Sequence, residues 1–139
     1  MADAVTKVVM ADSATHYIIH LTNIGDGTGE SAAVKADKSA IAVASDGAEA
    51  ASLDIESVRW SIQGFTSVRF LWDHTTDDVA LVLTGSGYDD FRGDMRGYNT
   101  GALKDPRSSG GTGDVLLTTN GGSSGATYDI TLVLRKAPD

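Results

Sequence analysis

The stretch Ala126-Thr127-Tyr128-Asp129-Ile130-Thr131-Leu132-Val133-Leu134-Arg135 decides the fold. Tyr128, Ile130, Leu132 and Leu134 stand at every second position, with mostly polar residues between them. Successive side chains of a strand point to opposite faces, so this spacing predicts a strand with one dry face and one wet face. Just upstream, Asn120-Gly121-Gly122-Ser123-Ser124-Gly125 is rich in residues that tolerate positive φ. It reads as the loop joining this strand, residues 126–135, to another over residues 114–119.

The same period recurs toward the N-terminus. Residues 5–10 read as a first strand. Residues 15–24 read as a second, with Tyr17, Ile19 and Leu21 on one face and His16, Ile18, His20 and Thr22 on the other. Leu53 and Ile55 share one parity while Val58, Trp60 and Ile62 share the other, which predicts a bulge near Glu56-Ser57. Val68, Phe70 and Trp72, then Val79, Leu81 and Leu83, continue as an expected antiparallel meander. The Ala-rich part, residues 31–52, is read as short strands at 32–37 and 40–44, with a helix over 48–53 as the alternative. Residues 84–112 hold almost no aliphatic side chain except Met95 and Leu103. A loop of that length inside a small domain is either functional or packed on a neighbour.

These elements predict one domain over residues 1–139: an all-β, antiparallel β-sandwich, jelly-roll-like, with eight or nine short strands and one long loop at 84–112. Residues 1–12 serve as an N-terminal arm or edge strand. No repeat of 20–50 residues is visible, which argues against a propeller or solenoid.

Charge and composition exclude several functions. Eleven Lys and Arg against 19 Asp and Glu give a net charge of −8. Gripping a nucleic acid or an anionic membrane needs clustered positive charge, so neither partner is expected. There is no Cys, hence no disulfide framework, thiol catalysis or zinc–thiolate site. Asp3 and Lys7 interrupt the N-terminus before a secretory apolar region can build, and no apolar run approaches the ~20 residues of a membrane span. The expected place of synthesis is a cytoplasm.

No constellation of reactive residues stands out. His16 and His20 are four apart, which on a strand spans about 13 Å and forbids one shared ion. Gly25-Asp26-Gly27-Thr28-Gly29 lacks the Lys-Ser/Thr ending of a phosphate loop and is followed by Glu30, so it reads as a turn. Asp73, Asp77 and Asp78, or Asp89, Asp90 and Asp94, offer carboxylates for calcium, but neither set has the spacing of a calcium loop. None of the three His stands near a Gly-x-Ser-x-Gly nucleophile elbow, and Gly85-Ser86-Gly87 and the Ser123-Ser124 loop lack that context. Trp60 and Trp72 fall on aliphatic alternations and read as core. The expectation is therefore no catalytic residue, no cofactor and no metal.

The motif Thr22-Asn23-Ile24-Gly25-Asp26-Gly27-Thr28-Gly29-Glu30-Ser31-Ala32 resembles small virion structural proteins of tailed, often marine, bacteriophages. The likeness continues through Leu71-Trp72-Asp73, Gly113-Asp114-Val115-Leu116-Leu117-Thr118-Thr119 and Thr127-Tyr128-Asp129-Ile130-Thr131-Leu132, and thins between residues 37–52 and 85–109. The resemblance implies a non-enzymatic role on the virion. The further step is a head decoration or cement protein, made in the host cytoplasm, homo-oligomeric and trimeric, with the major capsid protein as partner. A tail or neck component and a carbohydrate-binding surface module are the alternatives. Arg92, Arg96, Tyr98 and Arg107 in the long loop are the expected contact residues, because Tyr and Arg are enriched where interfaces carry energy. The N-terminal segment is the second expected contact.

Overall fold

The alternation around Tyr128 runs through the longest strand of the molecule. The computed structural model describes residues 3–44, 47–91, 103, 105–106 and 110–137. Nine strands appear in it: β1 (Ala4–Asp12), β2 (His16–Asp26), β3 (Ala33–Ala36), β4 (Ser52–Gln63), β5 (Ser67–Trp72), β6 (Asp78–Leu83), β7 (Ser86–Asp90), β8 (Val115–Asn120) and β9 (Ser124–Ala137). A single 3₁₀ turn, Lys38–Ala40, follows β3. No described helix is long and apolar enough to cross a membrane.

The strands form two antiparallel sheets, ordered β1-β2-β9-β4-β7 and β3-β8-β5-β6. The pairing has a simple origin. β2 pairs with β9, β3 with β8, β4 with β7 and β5 with β6. That is one long antiparallel ribbon, closed at the β5–β6 turn and folded so that β9 also meets β4 and β8 also meets β5. A ribbon wrapped in this way is a jelly roll. β1 adds one further strand beyond β2, where the second sheet has no counterpart.

The core lies between the sheets. Tyr128, Ile130, Leu132 and Leu134 of β9 point into it beside Ile19 and Leu21 of β2 and Leu53, Ile55 and Val58 of β4. Val68 and Phe70 of β5, with Val115 and Leu117 of β8, close it from the other side. The bulge expected near Glu56-Ser57 is present: the β4–β9 register shifts between Ile55 and Ser57. It keeps both Ile55 and Val58 inside. Trp72 is buried, and Trp60 packs at the rim with its indole nitrogen donating to the Thr84 carbonyl at 2.9 Å.

Four expectations need correction. Residues 40–44 are not a strand, because Asp37 accepts from the Ser39 amide and turns the chain into the 3₁₀ turn. Residues 48–53 are not a helix; β4 begins at Ser52. The meander holds only between β5 and β6, which pair antiparallel, because β4 lies in the other sheet. Alternation marks which side chains face the core, and both sheets of a sandwich have such a face. The excursion over 84–112 is not all loop. Ser86–Asp90 is β7, an edge strand paired from Ser57↔Asp90 to Ser61↔Ser86. Its Gly87 is required by packing, since a Cβ there would sit 2.8 Å from the Trp60 ring. Leu103 also exchanges backbone hydrogen bonds with Ile55 at 2.9 and 2.7 Å.

A buried polar lock holds that excursion down. The His74 side chain is fully buried, with Nε2 2.9 Å from Asp105 Oδ1 and Nδ1 2.7 Å from Asp78 Oδ2. The Asp105 amide donates to Asp54 on β4 at 3.2 Å. Replacing His74 by Leu keeps the volume but leaves the Asp105 carboxylate, 2% exposed, without its imidazole. The expected loss is about 3–5 kcal/mol of unfolding free energy in urea, and H74L with Asp105→Asn regains part of it.

Candidate functional site

Most strands of a sandwich hide one face; β1 hides neither. Apart from half-buried Ala11, every residue from Ala4 to Asp12 is exposed, including Val8 at 50%, Val9 at 47% and Met10 at 61%. The strand is nine residues long and touches the rest of the sheet only through β2. Val5, Lys7 and Val9 lie opposite the inward-facing Asn23, Leu21 and Ile19. Thr6 and Val8 lie opposite Thr22 and His20 on the outer face. A register shift between Val9 and Ala11 then places Ala11 against Ile18 and Asp12 against Tyr17.

Two acidic ties fix this strand at its ends. At the N-terminal end, Asp3 Oδ1 accepts from the Asp26 amide at 3.0 Å, the Gly29 amide at 3.3 Å and the Thr28 hydroxyl at 3.3 Å. Its other oxygen accepts from Asn23 Nδ2 at 3.1 Å. The glycine-rich turn read in the sequence is thus a backbone nest for an anion, and the anion is the chain's own carboxylate. Burial pushes the Asp3 carboxyl up, but the donors from Asp26, Asn23 and Gly29 outweigh it and hold it down at about 2. At the other end, Asp12 meets the Lys136 ammonium, whose side chain is fully buried and also donates to the Ser13 and Ala42 carbonyls.

Behind the nest lies a second network. Glu30 Oε1 accepts from the Tyr128 hydroxyl and from Asn23 Nδ2, and Oε2 accepts from Lys35 Nζ. The Glu30 and Lys35 side chains are 8% and 6% exposed. Glu30, which argued against a phosphate loop, is neutralised by Lys35 and tied to the central strand.

The outer face of the β1-containing sheet carries the two early histidines. His16 Nε2 lies 3.1 Å from Glu56, which the bulge turns outward, and its Nδ1 lies 2.9 Å from Thr15 Oγ1. Both ring nitrogens of His16 thus have a partner within hydrogen-bond distance. His20 Nε2 lies 2.7 Å from Asp129. The two histidines therefore have separate partners, as the strand spacing requires. A shallow hollow of about 550 Å³ runs across this face over Ile18 and Val133, with His16, Glu56 and Tyr88 on its rim.

Of the carboxylates considered for calcium, Asp73, Asp77 and Asp78 each have a partner within the fold. Asp73 accepts from the Thr112 hydroxyl, Asp77 from the His74 amide, and Asp78 pairs with His74. Asp89 and Asp90 sit in β7, and Asp94 lies outside the described residues. Among the described residues no group of three or more ionisable side chains is placed to hold a metal. Arg92, Arg96, Tyr98 and Arg107 all lie outside the described residues.

Sequence reasoning missed Asp3, Asp12, Lys136 and the Glu30 network. One signal was present: Lys136 continues the even parity of Tyr128 to Leu134, which places a lysine on the core face. No protein-family profile, curated protein or solved structure matches the chain.

The Tyr128 phenol gives a pH test. Burial first, then its hydrogen bond to Glu30 and the Glu30 charge, push it above its ordinary value of 10.0. The folded state then holds the phenolic proton more tightly than the unfolded state. Its contribution is complete below about pH 10 and drains away as pH rises beyond that. Tyr128→Phe is expected to cost about 1.5–3 kcal/mol at neutral pH and to flatten the alkaline loss seen in melts of the parent protein.

Proposed function

We propose that the chain is a bacteriophage virion structural protein, a cement protein that binds the outer head surface and bridges major capsid subunits. The observation that carries this reading is β1: an apolar strand open on both faces, yet tied at each end by Asp3 and Asp12. A strand held that firmly with so little buried is suited to presentation rather than packing. Three further features support it. The jelly-roll order is an architecture used by viral capsid and lectin domains, which is an analogy of fold and not of site. The motif that resembles phage virion proteins, Thr22 to Ala32, supplies the nest and the Glu30 network behind β1. The acidic surface keeps free copies apart in solution before they meet the head.

On this reading the protein needs neither substrate nor cofactor. The carbohydrate-binding alternative would stack sugars on exposed Tyr88 rather than on Trp72, which is buried, or Trp60, which packs against the core.

Purified protein added to undecorated heads is expected to sediment with them and to raise their rupture temperature. Absence of binding to heads, or binding to tails alone, would remove the cement role.

A further inference from the structure

We propose that β1 is a self-association edge: two copies of this chain pair β1 against β1, antiparallel, across a two-fold axis, joining two five-stranded sheets into one. The inference rests on the geometry of β1 and not on the virion reading.

Free edges are normally guarded by shortness, proline, outward charge or a covering segment. The other three edges fit that expectation better. β3 has four residues, β6 has six, and β7 has five and ends in Asp89 and Asp90. β1 has nine residues and no proline. Its one lysine does not guard the edge: Lys7 Nζ donates to the Lys35 carbonyl at 3.1 Å and lies 5.9 Å over the Tyr17 ring.

Charge and length select a second copy as the occupant. In a chain of net charge −8, β1 carries only Lys7 and Asp12, so its own balance is 1 − 1 = 0. Two copies can approach there without the repulsion they meet elsewhere. Pairing β1 with the β7 edge of another copy would set nine residues against five and add two carboxylates. β1 against β1, with Lys7 opposite Asp12, pairs residues 7–12 of one copy with 12–7 of the other, brings in no further carboxylate beyond Asp12, and keeps every neighbour in the sheet antiparallel. A two-fold joint also closes on itself, whereas edge to unlike edge propagates unless it forms a ring.

The bulge selects the register. Lys7 and Asp12 both face inward, opposite Leu21 and Tyr17, while Val8 and Ala11 both face outward, opposite His20 and Ile18. Placing Lys7 opposite Asp12 of the second copy therefore puts Val8 opposite its Ala11, with like faces matched, and forms the Lys–Asp pair twice. A register centred on Lys7 sets ammonium against ammonium. One centred on Val8 sets inward Val5 against outward Ala11. The Lys7 ammonium has three donors and can keep the Lys35 carbonyl, and the Asp12 side chain is 29% exposed while bound to Lys136.

A six-residue overlap spans about 20 Å, a joint at the small end of specific interfaces, so dissociation in the micromolar range or weaker is expected. Sedimentation of the whole chain across roughly 1–200 µM is expected to show a monomer passing to a dimer. Lys7→Glu should weaken the dimer at least about tenfold, because it sets glutamate against Asp12, whereas Lys7→Met, which loses the same contacts to Lys35 and Tyr17 without adding a like charge, should weaken it less. The chain has no cysteine, so V8C with Ala11→Cys gives a register test: the double variant should oxidise to a covalent dimer, and V8C alone should not. A monomer at every concentration, a trimer, an unchanged Lys7→Glu dimer, or cross-linking by V8C alone would each overturn the inference. A monomer that still binds heads would do so while leaving the cement role standing. A dimer that ignores heads would remove that role and leave the edge pairing intact.

Discussion

The fold depends on the inward face of β9. This strand is paired on both sides, by β2 and by β4, and its Tyr128, Ile130, Leu132 and Leu134 are all at or below 2% exposure. Each such side chain contributes about 1.5–3 kcal/mol when removed from water. Slipping β9 by one residue would turn all four outward and bring Thr127, Asp129, Thr131 and Val133 in. The period-two pattern thus fixes the register of three strands, and the folded ribbon carries that register into the second sheet.

This explains what could be read in advance. β2, β5 and β9 bury alternate residues, and that alternation was legible in the sequence, as was the change of parity in β4 at Glu56. What escaped was of two kinds. β7 lacks an inward aliphatic pattern because Gly87 lies against the Trp60 ring, so its strand character comes from pairing rather than from its own side chains. The arrangement of β4 and β5 in different sheets also escaped, because inward-facing residues look the same whichever sheet they come from. The apolar character of β1 was legible, but its openness on both faces depends on the other sheet ending short of it.

The polar residues inside the sandwich follow a common rule. Glu30–Lys35, Asp12–Lys136 and His74–Asp105 each bring a charged or ionisable pair out of water, which by itself costs more than the attraction returns unless other donors and acceptors complete the set. In each case neighbouring groups do so: Tyr128 and Asn23 at Glu30, the Ser13 and Ala42 carbonyls at Lys136, and Asp78 at the second ring nitrogen of His74. These sets join segments far apart in sequence. Hydrophobic burial is non-directional and would tolerate several positions for such segments; the polar ties select one.

The same logic separates β1 from every other strand. Burial cannot hold it, since it has almost none, and one line of hydrogen bonds to β2 leaves its ends free to fray. The Asp3 nest and the Asp12–Lys136 contact act at those ends, where fraying would begin. Each draws on a feature that otherwise lacks a purpose: a glycine-rich turn with no phosphate to bind, and a lysine on the core parity of an apolar strand. A surface strand that needs two buried or nested ion contacts to stay in place is costly to keep flat and apolar. Under the proposed edge pairing that cost is offset, because the exposed edge then gains a second line of hydrogen bonds, which the outer hollow and the histidine pairs do not offer.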